Sequence, residues 1–191
     1  MSKFFRIPVT LAVVALALVA RGASQAQSRE PAASPGPDTL HVGQKAPDFT
    51  LPSTAGGKLK LHSLKGKTVV LYFYPKDETP GCTHEACDFR DHHAALDSAG
   101  VVLLGVSYDD LDSHAHFIAK EHLPFPLLSD TDARVSRLYG VYREYQRDGK
   151  TMRGVERTTF VIDKTGHIAR VWPKVNVDGH VDDVLAFVRG G

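Results

Sequence analysis

The two cysteines of this 191-residue chain, Cys82 and Cys87, are separated by four intervening residues in Pro75-Lys76-Asp77-Glu78-Thr79-Pro80-Gly81-Cys82-Thr83-His84-Glu85-Ala86-Cys87-Asp88-Phe89-Arg90. A thiolate is a strong nucleophile. It is stabilised where a helix begins, because the first turn offers free backbone N–H groups and the positive end of the dipole. The stretch predicts such a start. Thr79 suits the N-cap, Pro80 suits the first helical position, and Cys82 then falls in the first turn. The competing reading is a structural disulfide, the common fate of two cysteines in an oxidising compartment.

The flanking segments are read as the elements that position this turn. Thr68–Tyr74 is a near-continuous run of β-branched and aromatic residues, hence a central strand. Pro80–Ser98 reads as a helix, Val101–Val106 as a second buried strand, and Asp110–His122 as a helix with apolar residues at helical spacing. Leu127–Leu128 is a short extended piece, and Asp132–Tyr139 a helix capped by Thr131 or Asp130. Thr158–Asp163 and His167–Trp172 form a hairpin around Lys164-Thr165-Gly166, and Gly179–Arg189 closes the chain as an amphipathic helix. Upstream, Asp48–Leu51 and Lys58–Leu61 flank Gly56-Gly57 as an N-terminal β-hairpin. The order argues for an α/β fold with a central mixed sheet flanked by helices on both faces. The parallel pair of strands needs the helical crossover that Pro80–Ser98 supplies.

Residues 1–26 read as a secretory signal peptide. Lys3 and Arg6 precede the uncharged run Leu11–Ala20, and Ser24 and Ala26 fit a cleavage site. The run is shorter than the roughly 20 apolar residues of a spanning helix, so no stable membrane insertion is expected after cleavage. The expected location is outside the cytoplasm, in a bacterial periplasm; an uncleaved anchor is the alternative. Residues 27–39, with three prolines among small residues, read as a flexible linker, and residues 40–191 as one domain. With 24% charged residues and a formal net charge of +1, nothing points to nucleic acid as a partner.

Pro75-x-x-x-Thr79-x-x-Cys82 resembles the peroxiredoxin active-site pattern. The longer run from Tyr72 to Asp91 is similar to the bacterioferritin comigratory protein branch, also called peroxiredoxin Q. Arg157-Thr-Thr-Phe-Val-Ile-Asp163 resembles the arginine-bearing strand of that family, and the similarity spans Val42 to Val188. The resemblance implies a thioredoxin-like fold and an atypical two-cysteine thiol peroxidase. Cys82 would attack a hydroperoxide and become a sulfenic acid; Cys87 would resolve it as an intramolecular disulfide; a thioredoxin-like dithiol protein would reset the pair. Arg157 is the guanidinium the resemblance selects, although Arg90, Arg143 and Arg153 remain open from the residues alone. Pro75 would shield the thiolate from water, Thr79 would bond substrate and sulfur, and Glu85 would orient an arginine unless it is a solvent-facing helix acid. The implied chemistry uses no metal and no organic cofactor. The short C-terminal segment carries no further cysteine, so a monomer is expected.

The spacing adds a mechanical expectation. On one regular helix the two cysteine Cα atoms stand about 8–9 Å apart, whereas a disulfide needs less than about 7 Å. The reduced form should therefore hold a continuous helix through both, and oxidation should open its first turns. That geometry weakens the static-brace reading. A thiol–disulfide oxidoreductase would want Cys-x-x-Cys, and a copper chaperone would give Pro75 and Thr79 no role. Of the ten histidines, His84 lies one turn from Asp88, too few ligands for a structural metal. His92, His93, His114 and His116 are taken as solvated helix faces. Asp77 and Glu78 are taken as turn residues, with Tyr72 or Tyr74 in the core.

Overall fold

A computed structural model describes residues 40–190; the proposed signal peptide and linker lie outside the described residues. The central sheet has strand order β5-β4-β3-β8-β9. Its core is β3 (Thr68–Phe73), flanked by β4 (Val101–Ser107) in parallel and β8 (Thr158–Ile162) in antiparallel register. The edges are β5 (Leu127–Ser129), parallel to β4, and β9 (Ile168–Trp172), antiparallel to β8. This mixed sheet with its helical crossovers is the thioredoxin-like arrangement. A separate two-stranded hairpin of β1 (Thr50–Pro52) and β2 (Lys58–Lys60) precedes it. Every residue of β3 after Thr68 is buried, because helices or loops cover both faces of the sheet.

Two apolar layers sandwich the sheet. On one side α1 (Pro80–Asp91), α2 (His93–Ser98) and α5 (His180–Gly190) pack Ala86, Phe89, Leu96, Val181 and Val184 against Val70, Tyr72 and Leu103. Phe117 of α3 (Leu111–Glu121) joins this layer. On the other, Val135 of α4 (Arg134–Leu138) and neighbouring Tyr139 meet Leu71, Phe73 and Phe160, with Phe49 and Leu51 from the N-terminal segment. Gly105 on β4 is required by packing: a Cβ there would stand 2.7 Å from both the Tyr72 hydroxyl and Leu127 Cδ2.

Several boundaries differ from the sequence expectation. The helix expected over Pro80–Ser98 is broken at His92, whose φ of −96° and ψ of 0° leave the helical region. Its ring Nδ1 sits 2.8 Å from the Asp88 carbonyl, so side chain and backbone both turn in to close α1. The helix expected over Asp132–Tyr139 is only α4. Its N-cap is Ala133 in the left-handed region, at φ 53°. Asp130, buried, does the capping from further back, accepting from the Val135 and Ser136 N–H groups at 3.0 and 2.7 Å. A second two-stranded ribbon, β6 (Tyr142–Arg147) and β7 (Lys150–Val155), was not anticipated. Its signal was Asp148-Gly149, both at positive φ, 52° and 71°, the dipeptide of a tight hairpin turn.

Candidate active site

Strand β3 delivers the chain to the site, and its pairing brings the second half. Phe73 pairs with Thr158, so Arg157, one residue before β8, stands beside the loop that leaves β3 and enters α1. Thr79 is the N-cap residue of α1 and Pro80 its first residue, which places Cys82 in the first turn, 1% exposed. Arg157 Nη2 lies 3.2 Å from Cys82 Sγ, and its Nη1 donates to Glu85 Oε2. A guanidinium fork that spans a carboxylate and a sulfur is fixed in plane. Of the four arginines left open by the sequence, Arg157 is the one against Cys82. Arg90 contacts Cys87, while Arg143 pairs with Glu156 and Arg153 with Glu144.

Glu85 is fully buried, and of the two roles open to it the structure gives it the contact with Arg157. Burial pushes its carboxyl up to about 7, with Arg157 pulling the other way. Its Oε1 and the Tyr72 hydroxyl are both buried without a hydrogen-bond partner. The Tyr72 phenol is driven well above its ordinary range by burial first, then by the charges of Glu85 and Cys82. Tyr72 and Tyr74 are both core residues. They stack at 5.4 Å, and Tyr72 packs on Phe89 of α1 at 4.7 Å.

Thr79 differs from expectation in its side chain. Its hydroxyl donates to the Lys76 carbonyl at 3.0 Å and makes no capping bond; its own carbonyl accepts from the Thr83 N–H at 2.8 Å. Pro75 is half-buried in the loop leaving β3. Asp77 is more than a turn residue. Its buried carboxylate accepts from the Tyr74 hydroxyl at 2.7 Å, faces His114 Nδ1 at 2.8 Å, and accepts from the Ser113 hydroxyl at 2.7 Å. The Asp77 N–H donates to Asp109 at 2.9 Å. Burial, the largest influence, raises the Asp77 carboxyl, but His114, Tyr74 and Ser113 together outweigh it and hold it below the usual range. His114 is fully buried in this network and so is not a solvated helix residue. The network fixes the loop between β3 and α1 to α3. It escaped the sequence reading because its partners lie 36 and 37 residues apart.

His180 was also missed. It is buried at the start of α5, with Nε2 2.8 Å from the Thr159 hydroxyl, and burial lowers its ring to about 4. His84 pairs with Asp88 at 3.4 Å and Asp178 at 3.8 Å, and no group of three or more metal-type ligands occurs among the described residues.

Cys82 and Cys87 are both free thiols, and α1 runs unbroken through them. Cys87 is half-buried, its thiol 3.6 Å from Glu121 Oε2 of α3. Among the described residues, no helix is long and apolar enough to cross a membrane.

Residues 42–171 match the AhpC/TSA family. A Coxiella burnetii protein given the peroxiredoxin bcp name is 57% identical over 147 residues, 77% of this chain and 97% of that protein. The structure of Xanthomonas campestris peroxiredoxin Q is 40% identical and superposes with a TM-score of 0.74, covering 78% of this chain and 97% of that one. A second Xanthomonas campestris structure, of a bacterioferritin comigratory protein studied for alkyl peroxide reduction, is 39% identical with a TM-score of 0.74, covering 78% and 98%. A guanidinium set against the sulfur of a helix-start cysteine, on a sheet of this topology, agrees with what these relatives are called. The chain belongs to the AhpC/TSA family, among the Bcp or Q-type peroxiredoxins, and is a thiol peroxidase.

Proposed function

We propose that the chain reduces hydrogen peroxide and organic hydroperoxides through Cys82, with Cys87 as the resolving thiol. The observation that carries this reading is the Arg157 guanidinium 3.2 Å from Cys82 Sγ at the start of α1. That position favours negative charge on sulfur and on the oxygen that takes it over. Cys82 thiolate attacks the terminal peroxide oxygen in line. The O–O bond breaks, and the departing oxyanion takes a proton and leaves as water or an alcohol. Cys82 is then a sulfenic acid. Arg157 and the N–H groups of the first turn hold the reacting oxygens, and Glu85 orients Arg157. The Thr79 hydroxyl oxygen, while donating to Lys76, keeps lone pairs that can accept from a hydroperoxide O–H. Pro75 shields the sulfur from water. The alkyl peroxide reduction named for the Xanthomonas campestris relative supports organic hydroperoxides as substrates.

In the second half, α1 opens in its first turns, and the Cys87 thiolate attacks the Cys82 sulfenic sulfur. The S–O bond breaks, hydroxide leaves as water, and an intramolecular disulfide remains. A thioredoxin-like dithiol protein then reduces it. We further propose that residues 1–26 direct export and residues 27–39 tether the domain, a reading that rests on the basic start, the Leu11–Ala20 run and the small residues near Ala26. The mass of the protein recovered from its native cell tests cleavage.

Stopped-flow mixing of the reduced protein with hydrogen peroxide and with an organic hydroperoxide tests the enzyme reading. Cys82→Ser should lose the reaction entirely. Cys87→Ser should react once and leave a sulfenic acid that a dimedone-type probe traps. A Cys82→Ser protein as fast as wild type would sink the assignment of Cys82, and an untrappable Cys87→Ser would sink that of Cys87. Turnover with a dithiol protein but not with a monothiol is the expected reductant pattern.

A further inference from the structure

Cys87 has an environment of its own. Its thiol donates to Glu121 Oε2 at 3.6 Å, at the last residue of α3. Arg90 Nη1, one turn further along α1, is 3.5 Å from the same sulfur and donates to the Glu121 backbone carbonyl at 2.8 Å. Arg90 is held in turn by Asp91, with Nε donating to Oδ1 at 2.8 Å. The second cysteine of α1 is thus tied to the C-terminal end of α3 by two side chains.

We propose that Arg90 and Glu121 are positioning residues for the second half of the reaction: they clasp Cys87 on the folded helix, and release of that clasp sets how long a Cys82 sulfenic acid survives. The proposal rests on the reading of Cys87 as the resolving thiol. The clasp restrains Cys87 in two ways. It fixes the sulfur on a helix where it is out of reach of Cys82. It also keeps the proton on sulfur, because a carboxylate is a weaker base than a thiolate and the contact is made by the S–H. The charged groups facing Cys87 are Arg90 and Asp91 on α1 and Glu121 on α3. Burial, the largest influence, raises the thiol; Glu121 and Asp91 raise it, Arg90 lowers it, and the net direction is upward. Leaving the clasp moves the sulfur and removes the carboxylate in one motion. The freed thiol loses its proton to solvent. Its thiolate attacks the Cys82 sulfenic sulfur, the S–S bond forms as the S–O bond breaks, and the hydroxide takes up a proton to leave as water.

The test is single-turnover oxidation of the full chain by one equivalent of hydrogen peroxide, comparing wild type with Glu121→Gln. Quenched samples are read by mass for sulfenic acid and disulfide across a pH series. Glu121→Gln should form the disulfide about five-fold faster, the effect of weakening one hydrogen bond to a charged group. Its disulfide formation should persist to lower pH, and excess peroxide should convert less of it to sulfinic acid. The first phase, attack at Cys82, should keep its rate. Arg90→Lys, which keeps the charge and loses the guanidinium that holds Asp91 through Nε while Nη1 reaches both sulfur and carbonyl, should also quicken the second phase. Slower disulfide formation in Glu121→Gln would overturn the clasp and make Glu121 a proton acceptor for Cys87; an unchanged rate would overturn it as well. The reading beneath it fails differently: wild type would oxidise Cys82 and form no intramolecular disulfide.

Discussion

Cys82 lies 1% exposed in the first turn of α1 with a guanidinium 3.2 Å from its sulfur. Cys87, five residues along the same helix, is half-buried with a carboxylate 3.6 Å from its sulfur. At the first position the free N–H groups of the turn and the Arg157 guanidinium face the sulfur. At the second, burial and Glu121 favour the neutral thiol. One residue type on one element is thereby given two chemistries. On the proposed reading, the cysteine that meets peroxide is the one beside Arg157, and the one that waits is the one whose thiol is held by Glu121.

The contrast is broken most sharply at Arg157. Arg157→Ala should lower the rate of Cys82 oxidation by about a hundred- to a thousand-fold, the usual loss of one donor aimed at developing charge, while a disulfide already formed is reduced at the wild-type rate. Stopped-flow oxidation and reduction, measured separately, check this. A loss of less than ten-fold would mean that the helix turn alone prepares the sulfur.

Glu85→Gln sharpens the comparison through stability. The Glu85 carboxyl is raised in the folded state from 4.5 to about 7, so the folded protein holds a proton that the unfolded chain has released between those values, and stability falls as pH rises through that window. Gln resembles the protonated acid. Chemical denaturation across pH should therefore show the difference in stability moving toward the Gln variant by on the order of 3 kcal/mol from pH 4.5 to above 7. His180 works in the opposite sense. Its ring is lowered to about 4, so its contribution is complete above 6.5 and is lost as pH falls toward 4. The wild-type profile between these limits should be flattened by the pair, and Glu85→Gln should uncover the rising limb due to His180. A variant profile parallel to wild type would remove Glu85 from this account.

The smallest effect is expected at Thr79. Its hydroxyl donates to Lys76, so Thr79→Ala should cost about 1 kcal/mol in stability through that bond. Thr79→Ser should restore it. If Thr79→Ala slows Cys82 oxidation and Thr79→Ser recovers the rate, the hydroxyl also serves the substrate. An effect of either change on Cys87 release would blur the division between the two sulfurs.

The sequence shows most of the sheet because its strands are buried on both faces and therefore read as apolar runs, as in Thr68–Tyr74 and Val101–Val106. The ribbon of β6 and β7 hid because its exposed positions mix Tyr145 and Met152 with Glu144, Gln146, Lys150, Thr151 and Arg153 in no alternating order; only Asp148-Gly149 marked it. At the site, the helix start at Thr79-Pro80 is local chemistry and can be read directly. Arg157 is 75 residues from Cys82 in the chain, and the resemblance, not the spacing, singled it out. The Asp77–His114 contact and the Cys87–Glu121 contact had no such guide. Each joins side chains far apart in the chain, and only the packing of α3 against the loop and α1 brings them together.

The break at His92 limits how far a disturbance of α1 can travel. A continuous helix from Pro80 to Ser98 would share its cooperativity along the whole length, so unwinding at Cys82 would weaken the hydrogen bonds beneath Leu96 as well. Instead α1 ends at Asp91, and α2 starts afresh at His93 with its own hydrogen bonds and its own seat on β4 and α5. If α1 opens as proposed, α2 keeps its own seat against the sheet, as a fuse opens in one branch of a circuit. Amide exchange in α2 should therefore be the same in the dithiol and disulfide forms while that of Gly81–Cys87 differs, a boundary drawn at one residue.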